Sequence, residues 1–166
     1  AIIMMKKILL VDDESDIREV LSLSLDDMGY EVHQACSGAE ALNVFKKELP
    51  AIVLTDIKMP GMDGIELLRK VKHENPETEV IMITGHGDMD LAIKSLKHEA
   101  TDFITKPINV DALEISLKRA REKIIIRDNH FDRMESAGVD AIFLQNVRNV
   151  LIEGNTFLGP DSSLVS

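Results

Sequence analysis

The chain has 166 residues, 45% of them hydrophobic, and a formal net charge of −10, which suits one ordinary folded domain with a short appendage. The acid excess argues against direct contact with nucleic acid, whose phosphates need a basic face, and the single cysteine, Cys36, excludes an intrachain disulfide. No apolar run approaches the length of a bilayer-spanning helix, and the opening AIIMMKK is too short for a secretory signal, so no membrane partner and a cytoplasmic setting are expected, with Met4 or Met5 as the natural start.

From Lys6 to about Lys123, short apolar runs alternate with amphipathic stretches. ILLV (8–11) reads as the first strand and ends on Asp12-Asp13. A helix follows, with Ile17, Val20, Leu21, Leu25 and Met28 as its apolar stripe and Gly29 as its cap. EVHQA (31–35) alternates in polarity, which suits a strand near a sheet edge. Cys36 behind it is expected to pack as a small hydrophobe. Ala41, Leu42 and Phe45 suggest a short second helix.

AIVLT (51–55) is a continuous apolar run, as for a strand buried on both faces. It ends on Asp56 and breaks into Pro60, Gly61 and Gly64. The glycines permit a tight turn, and Asp63 is placed to cap a helix marked by Ile65, Leu68 and Val71. VIMIT (80–84) ends on Thr84, and Leu91, Ile93 and Leu96 mark a weaker helix. DFIT (102–105) leads into Lys106-Pro107. A last helix, carried by Val110, Leu113, Leu117, Ala120 and Ile124, is expected to run to about Arg127.

Strand then helix, five times over, predicts a doubly wound α/β domain with a parallel sheet. Such sheets place functional groups at the carboxyl ends of their strands, around a topological switch point. Asp12, Asp13, Asp56, Thr84 and Lys106 all fall there. Carboxylates brought together repel unless a cation lies among them, and oxygen-only ligands favour a hard ion such as Mg²⁺. With the Lys106 ammonium and the Thr84 hydroxyl opposite, the set describes a pocket for a tetrahedral dianion. Asp56 is then the nucleophile, and its product an acyl phosphate. A lone carboxylate at a strand end is ordinarily a turn or cap residue, and Asp12-Asp13-Glu14-Ser15 alone would be read as a helix start. Four strand ends equipped at once point to a site.

In order and with suitable spacing, LLVDDE, LTDIKMPGMDG, MITGHGD and DFITKPI resemble the receiver domain of two-component response regulators over residues 5 to about 123. The resemblance implies a flavodoxin-like (βα)₅ fold and phosphorylation of Asp56 by a histidine kinase or phosphotransfer protein. It also implies a non-enzymatic signalling role, with at most slow self-dephosphorylation. Mg²⁺ would be bound directly by Asp13 and Asp56, through water by Asp12, and by the backbone carbonyl of Lys58. Thr84 and Lys106 would contact the phosphoryl group. Phe103, where tyrosine is common in the family, would be the switch aromatic together with Thr84, and Lys58 and His86 would tune the phosphate lifetime.

Two rivals share parts of this pattern. Haloacid-dehalogenase-type phosphatases also form an aspartyl phosphate, but carry a second acid where Lys58 stands here. Flavin-binding relatives of the fold need a Ser/Thr/Gly-rich phosphate loop where DDESD (12–16) stands.

Beyond Lys123 the composition changes. IIIRDNHF (124–131) and VLIEGNTF (150–157) share I-x-x-N-x-F, with AIFLQN (141–146) between them. The repeat resembles rungs of a right-handed parallel β-helix. The expected organisation is a receiver over 5–126 and a β-rich tail over 127–166. One or two rungs cannot bury a core, so the tail is read either as a homo-oligomerisation element or as a truncated or artificially joined fragment.

Overall fold

A computed structural model describes residues 6–128 of the chain. Five strands alternate with five helices: β1 (Lys7–Val11), α1 (Ser15–Asp27), β2 (Glu31–Ala35), α2 (Gly38–Glu48), β3 (Ile52–Asp56), α3 (Gly64–Glu74), β4 (Glu79–Thr84), α4 (Met89–Lys97), β5 (Asp102–Thr105) and α5 (Val110–Asp128). The strands form one parallel sheet in the order β2-β1-β3-β4-β5, which is the expected flavodoxin-like arrangement. The sheet with its acidic edge lies within the first of two units of the chain, Ala1–Ala120. Of the β-helix-like rungs expected at the C-terminal end, residues 124–128 of the first belong to α5, and the rest lie outside the described residues. Among the described residues no helix is long and apolar enough to cross a membrane.

Burial follows from position in the sheet. The central strands β1, β3 and β4 are buried along almost their whole length, as their continuous apolar runs require. The alternating β2 lies at one edge and is half exposed. Successive side chains point to opposite faces, so Leu9, Val11, Val53, Val80 and Met82 join Phe45, Leu67, Leu68 and Val71 in one core layer. Ile8, Leu10, Ile52, Leu54, Ile81 and Ile83 face the other way and are fully buried as well.

Helix ends follow local chemistry. At the end of α1, the Gly29 N–H donates to the Asp26 carbonyl and the Tyr30 N–H to the Leu25 carbonyl. Gly29 takes φ +91°, a conformation open to glycine for want of a Cβ. Ser37 caps α2 by accepting the Glu40 N–H, while Glu40 reaches back to the Cys36 N–H. Asp63 accepts the Glu66 N–H at 2.8 Å and starts α3, as its place in the sequence predicts. Gly64 is required for a different reason. Its N–H bonds the Ile57 carbonyl at 2.7 Å, and a Cβ there would collide with the backbone of Asp56 and Ile57.

Three expectations about faces are corrected. Val20, assigned to the buried stripe of α1, is exposed, and Leu21 and Leu25 carry that contact. In α4 the buried residues are Ala92 and Ser95, while Ile93 and Leu96 are exposed. Small side chains let this helix approach the sheet, and the buried Ser95 hydroxyl is satisfied by the Ala92 carbonyl at 2.6 Å. Cys36 is exposed rather than packed. A hydrogen bond with Glu40 and that residue's charge hold its thiol above the ordinary value, which leaves little reactive thiolate.

Candidate functional site

Register brings the strand ends together. Val11 pairs with Thr55, so Asp12, one residue on, stands beside Asp56 across the β1/β3 boundary. This boundary is the switch point, because the chain leaves β1 toward β2 on one side and returns to β3 on the other. Asp56 pairs with Ile83 and Thr84 with Thr105, and the Lys106 N–H extends the ladder by donating to the Thr84 carbonyl at 2.8 Å. Lys106 therefore enters from the β5 side, through a cis peptide to Pro107.

Its ammonium is the hub of the site. Nζ lies 3.0 Å from Asp56 Oδ2, 3.2 Å from Asp12 Oδ2 and 3.5 Å from Glu14 Oε1. Carboxylate oxygens of Asp12, Glu14 and Asp56 lie within 4.8 Å of one another. Asp12 is wholly buried and Asp56 nearly so. Asp12 Oδ1 accepts the Glu14 N–H at 2.9 Å, and its backbone carbonyl accepts Arg18 Nη1 at 2.7 Å. Asp12 Oδ2 accepts no hydrogen bond, the Lys106 ammonium facing it only as an ion pair.

The electrostatics follow from this excess of acid. Burial raises the Asp56 pKa, and the Asp12 charge adds to it beyond what the Lys106 hydrogen bond offsets. Burial alone would lower the Lys106 pKa, but its bond to Asp56 and the charges of Asp56 and Asp12 prevail, and it too is raised. The two shifts have the same sense for different reasons: burial dominates at Asp56, and the neighbouring carboxylates dominate at Lys106.

The other expected residues stand as follows. Thr84 is buried at the same edge, its hydroxyl donating to the carbonyls of Gly85 (3.4 Å) and Asp88 (3.5 Å). Asp13 is exposed, and Glu14 rather than Asp13 stands in the carboxylate cluster. Lys58 is exposed and its Nζ pairs with Asp88 Oδ1 at 2.6 Å, joining the loop after β3 to the start of α4. Phe103 is half-buried against the core, and His86 is exposed. Sequence reasoning missed Glu14 and Asp88. The signal for Glu14 was the third acid of DDE, which was read only as a helix start.

A family model described as the response regulator receiver domain matches residues 8–118. The chain is 38% identical to sporulation initiation phosphotransferase F of Bacillus subtilis over 116 residues, covering 70% of this chain and 94% of that protein. It is 40% identical over 116 residues to the C4-dicarboxylate transport transcriptional regulatory protein DctD of Rhizobium meliloti, covering 70% of this chain and 25% of the relative. The chain thus spans about a quarter of the length of that longer regulator. A solved response regulator receiver domain protein from Clostridium thermocellum superposes with a TM-score of 0.68 at 38% identity, covering 72% of this chain and 98% of that one. The receiver domain of NtrX from Brucella abortus gives 0.66 at 39% identity, covering 68% and 96%.

Proposed function

The chain belongs to the response regulator receiver domain family, and from that premise we propose that Asp56 accepts the phosphoryl group by which it signals. A receiver is a phosphoryl-accepting signalling module, and the family implies a histidine kinase as its partner. In the transfer a carboxylate oxygen of Asp56 bonds to phosphorus as the phosphorus–nitrogen bond of a phosphohistidine breaks, and the electron pair returns to the imidazole nitrogen. The observation that carries this reading is the contact of Lys106 Nζ with Asp56 Oδ2 at 3.0 Å, at the switch point and beside the buried Asp12. The ammonium opposes the rise in pKa that burial imposes on this carboxylate and is placed to meet phosphoryl oxygens added to it.

The acidic cluster is of the kind typical of a receiver magnesium site. Its chemistry suits Mg²⁺: the donors are all oxygen, and one buried carboxylate oxygen lacks a hydrogen-bond donor. Asp12, Asp13, Asp56 and the Lys58 carbonyl are the groups proposed to hold it. When bound, the ion neutralises charge on the phosphoryl oxygens. The roles of the remaining residues follow from where they stand. Lys106 contacts the phosphoryl group, and Thr84 turns its hydroxyl from the Gly85 and Asp88 carbonyls toward it. That turn draws on the loop leading into α4, and Phe103 repacks in response.

Intact mass after incubation with Mg²⁺ and a small phosphoryl donor tests the reading, with Asp56→Ala as comparison. One added phosphoryl group, absent from the variant, is expected. An adduct that persists in Asp56→Ala would overturn the assignment.

A further inference from the structure

We infer that Glu14, a residue outside the Asp12, Asp13, Asp56 and Lys58 set, completes the carboxylates of the divalent-cation site and raises its affinity. The inference rests on the reading of this edge as a cation-assisted phosphoacceptor site. Glu14 holds the N-cap position of α1, yet its side chain makes no capping hydrogen bond. Cap residues ordinarily turn their own oxygen onto the helix. Here the Glu14 N–H is instead bound by Asp12 Oδ1 at 2.9 Å, which holds its backbone over the site. Its carboxylate points to Lys106, with Oε1 3.5 Å from Nζ.

Independent support comes from Asp12. Its Oδ2 is fully buried, and its one polar partner is the Lys106 ammonium, which it must share with Asp56 and Glu14, so the protein alone supplies this oxygen with less than a full partner. Asp12, Glu14 and Asp56 bring three carboxylates to the one ammonium of Lys106, an excess of negative charge that a divalent cation would relieve. Because Glu14 is more than half exposed, water screens its contribution, and a moderate effect follows.

The test is a Mn²⁺ titration of the full chain followed by electron paramagnetic resonance, in which free and bound ion are counted without any phosphoryl transfer. Wild type, Glu14→Gln and Asp16→Asn are compared, Asp16 being an acid of the same helix start outside the cluster. Glu14→Gln is expected to weaken binding roughly threefold to tenfold, and Asp16→Asn less than about twofold. Equal affinities for the two variants would overturn the role of Glu14 while leaving the phosphoacceptor reading in place. A wild type without saturable Mn²⁺ binding would overturn both. Glu14→Asp, which keeps the charge on a shorter arm, is expected to bind more tightly than Glu14→Gln, and an affinity no better than that of Glu14→Gln would count against the inference.

Discussion

Replacing Asp12 by Asn should stabilise the metal-free protein, although it removes an ion pair. Asp12 is wholly buried, with Lys106 Nζ at 3.2 Å and the oxygens of Asp56 and Glu14 within 4.8 Å. At an effective dielectric of about 20 the attraction to Lys106 is roughly 5 kcal/mol and the repulsion from Asp56 at least about 3 kcal/mol. Glu14, being largely exposed, adds about 1 kcal/mol or less. Charge–charge terms thus nearly cancel. What remains is the cost of holding a carboxylate away from water, several kcal/mol per buried ion. Asn keeps the acceptor for the Glu14 N–H and carries no charge, while its amide NH2 then faces the Lys106 ammonium, at the loss of about 1–2 kcal/mol of charge-assisted bonding. Lys106 keeps Asp56 and Glu14 as partners. A net gain of about 1–2 kcal/mol follows, or a Tm higher by roughly 4–8 °C. The assay is thermal unfolding near pH 7 in a chelator and again in excess Mg²⁺. The ion should stabilise the wild type by about 2.7 kcal/mol at a hundred times its Kd, and the variant by less, so the advantage shrinks or reverses. A variant less stable than wild type in the chelator would refute the reasoning, since the pair with Lys106 would then dominate.

Two further outcomes follow from the same edge. Because burial and the Asp12 charge raise the Asp56 pKa above its ordinary 3.8, the folded chain binds more protons than the unfolded one between those two values. Metal-free stability from this group is then present at low pH and falls as pH rises through the raised pKa. The urea midpoint of wild type relative to Asp56→Asn, followed from about pH 4 to pH 7, should decline, and a flat or rising difference would refute the sign. Gly64→Ala would drive a Cβ into backbone, with Ile57 Cα at 2.8 Å and the Asp56 carbonyl closer still, and should cost about 3 kcal/mol. Gly61→Ala meets open space and only a positive φ of +76°, a cost of about 1 kcal/mol. Equal urea midpoints for the two would show that the approach at Gly64 relaxes freely.

Much of the fold and part of the site could be read along the chain, because they depend on local pattern. Continuous apolar runs ending on Asp12, Asp56 and Thr84 marked strands buried on both faces, and the rule of strand ends placed those groups, with Lys106 after β5, on one edge. Ser37 was overlooked as a cap, whereas Asp63 was read correctly from the helix pattern behind it. The faces of α1 and α4 were misjudged at Val20, Ile93 and Leu96, since which side of a helix meets the sheet depends on how closely the helix approaches. At α4 the small residues Ala92 and Ser95 set that approach, and a search for large apolar side chains passes over them.

What the sequence by itself determined is the order of elements, the parallel sheet and the list of chemically able groups at its carboxyl edge. Period and composition carry that information, and neither needs a distance. Only the tertiary structure decided how the groups share space. Lys106 is drawn among three carboxylates, the third of them Glu14 while Asp13 faces solvent, and the buried Asp12 Oδ2 must share that ammonium. Thr84 is bonded to its own loop, and Lys58 is tied to Asp88. These choices are made by residues that are distant in sequence, or that turn about a helix start by a fraction of a residue. Charge balance in a buried cluster depends on separations of a few ångströms, which the linear order of residues does not contain.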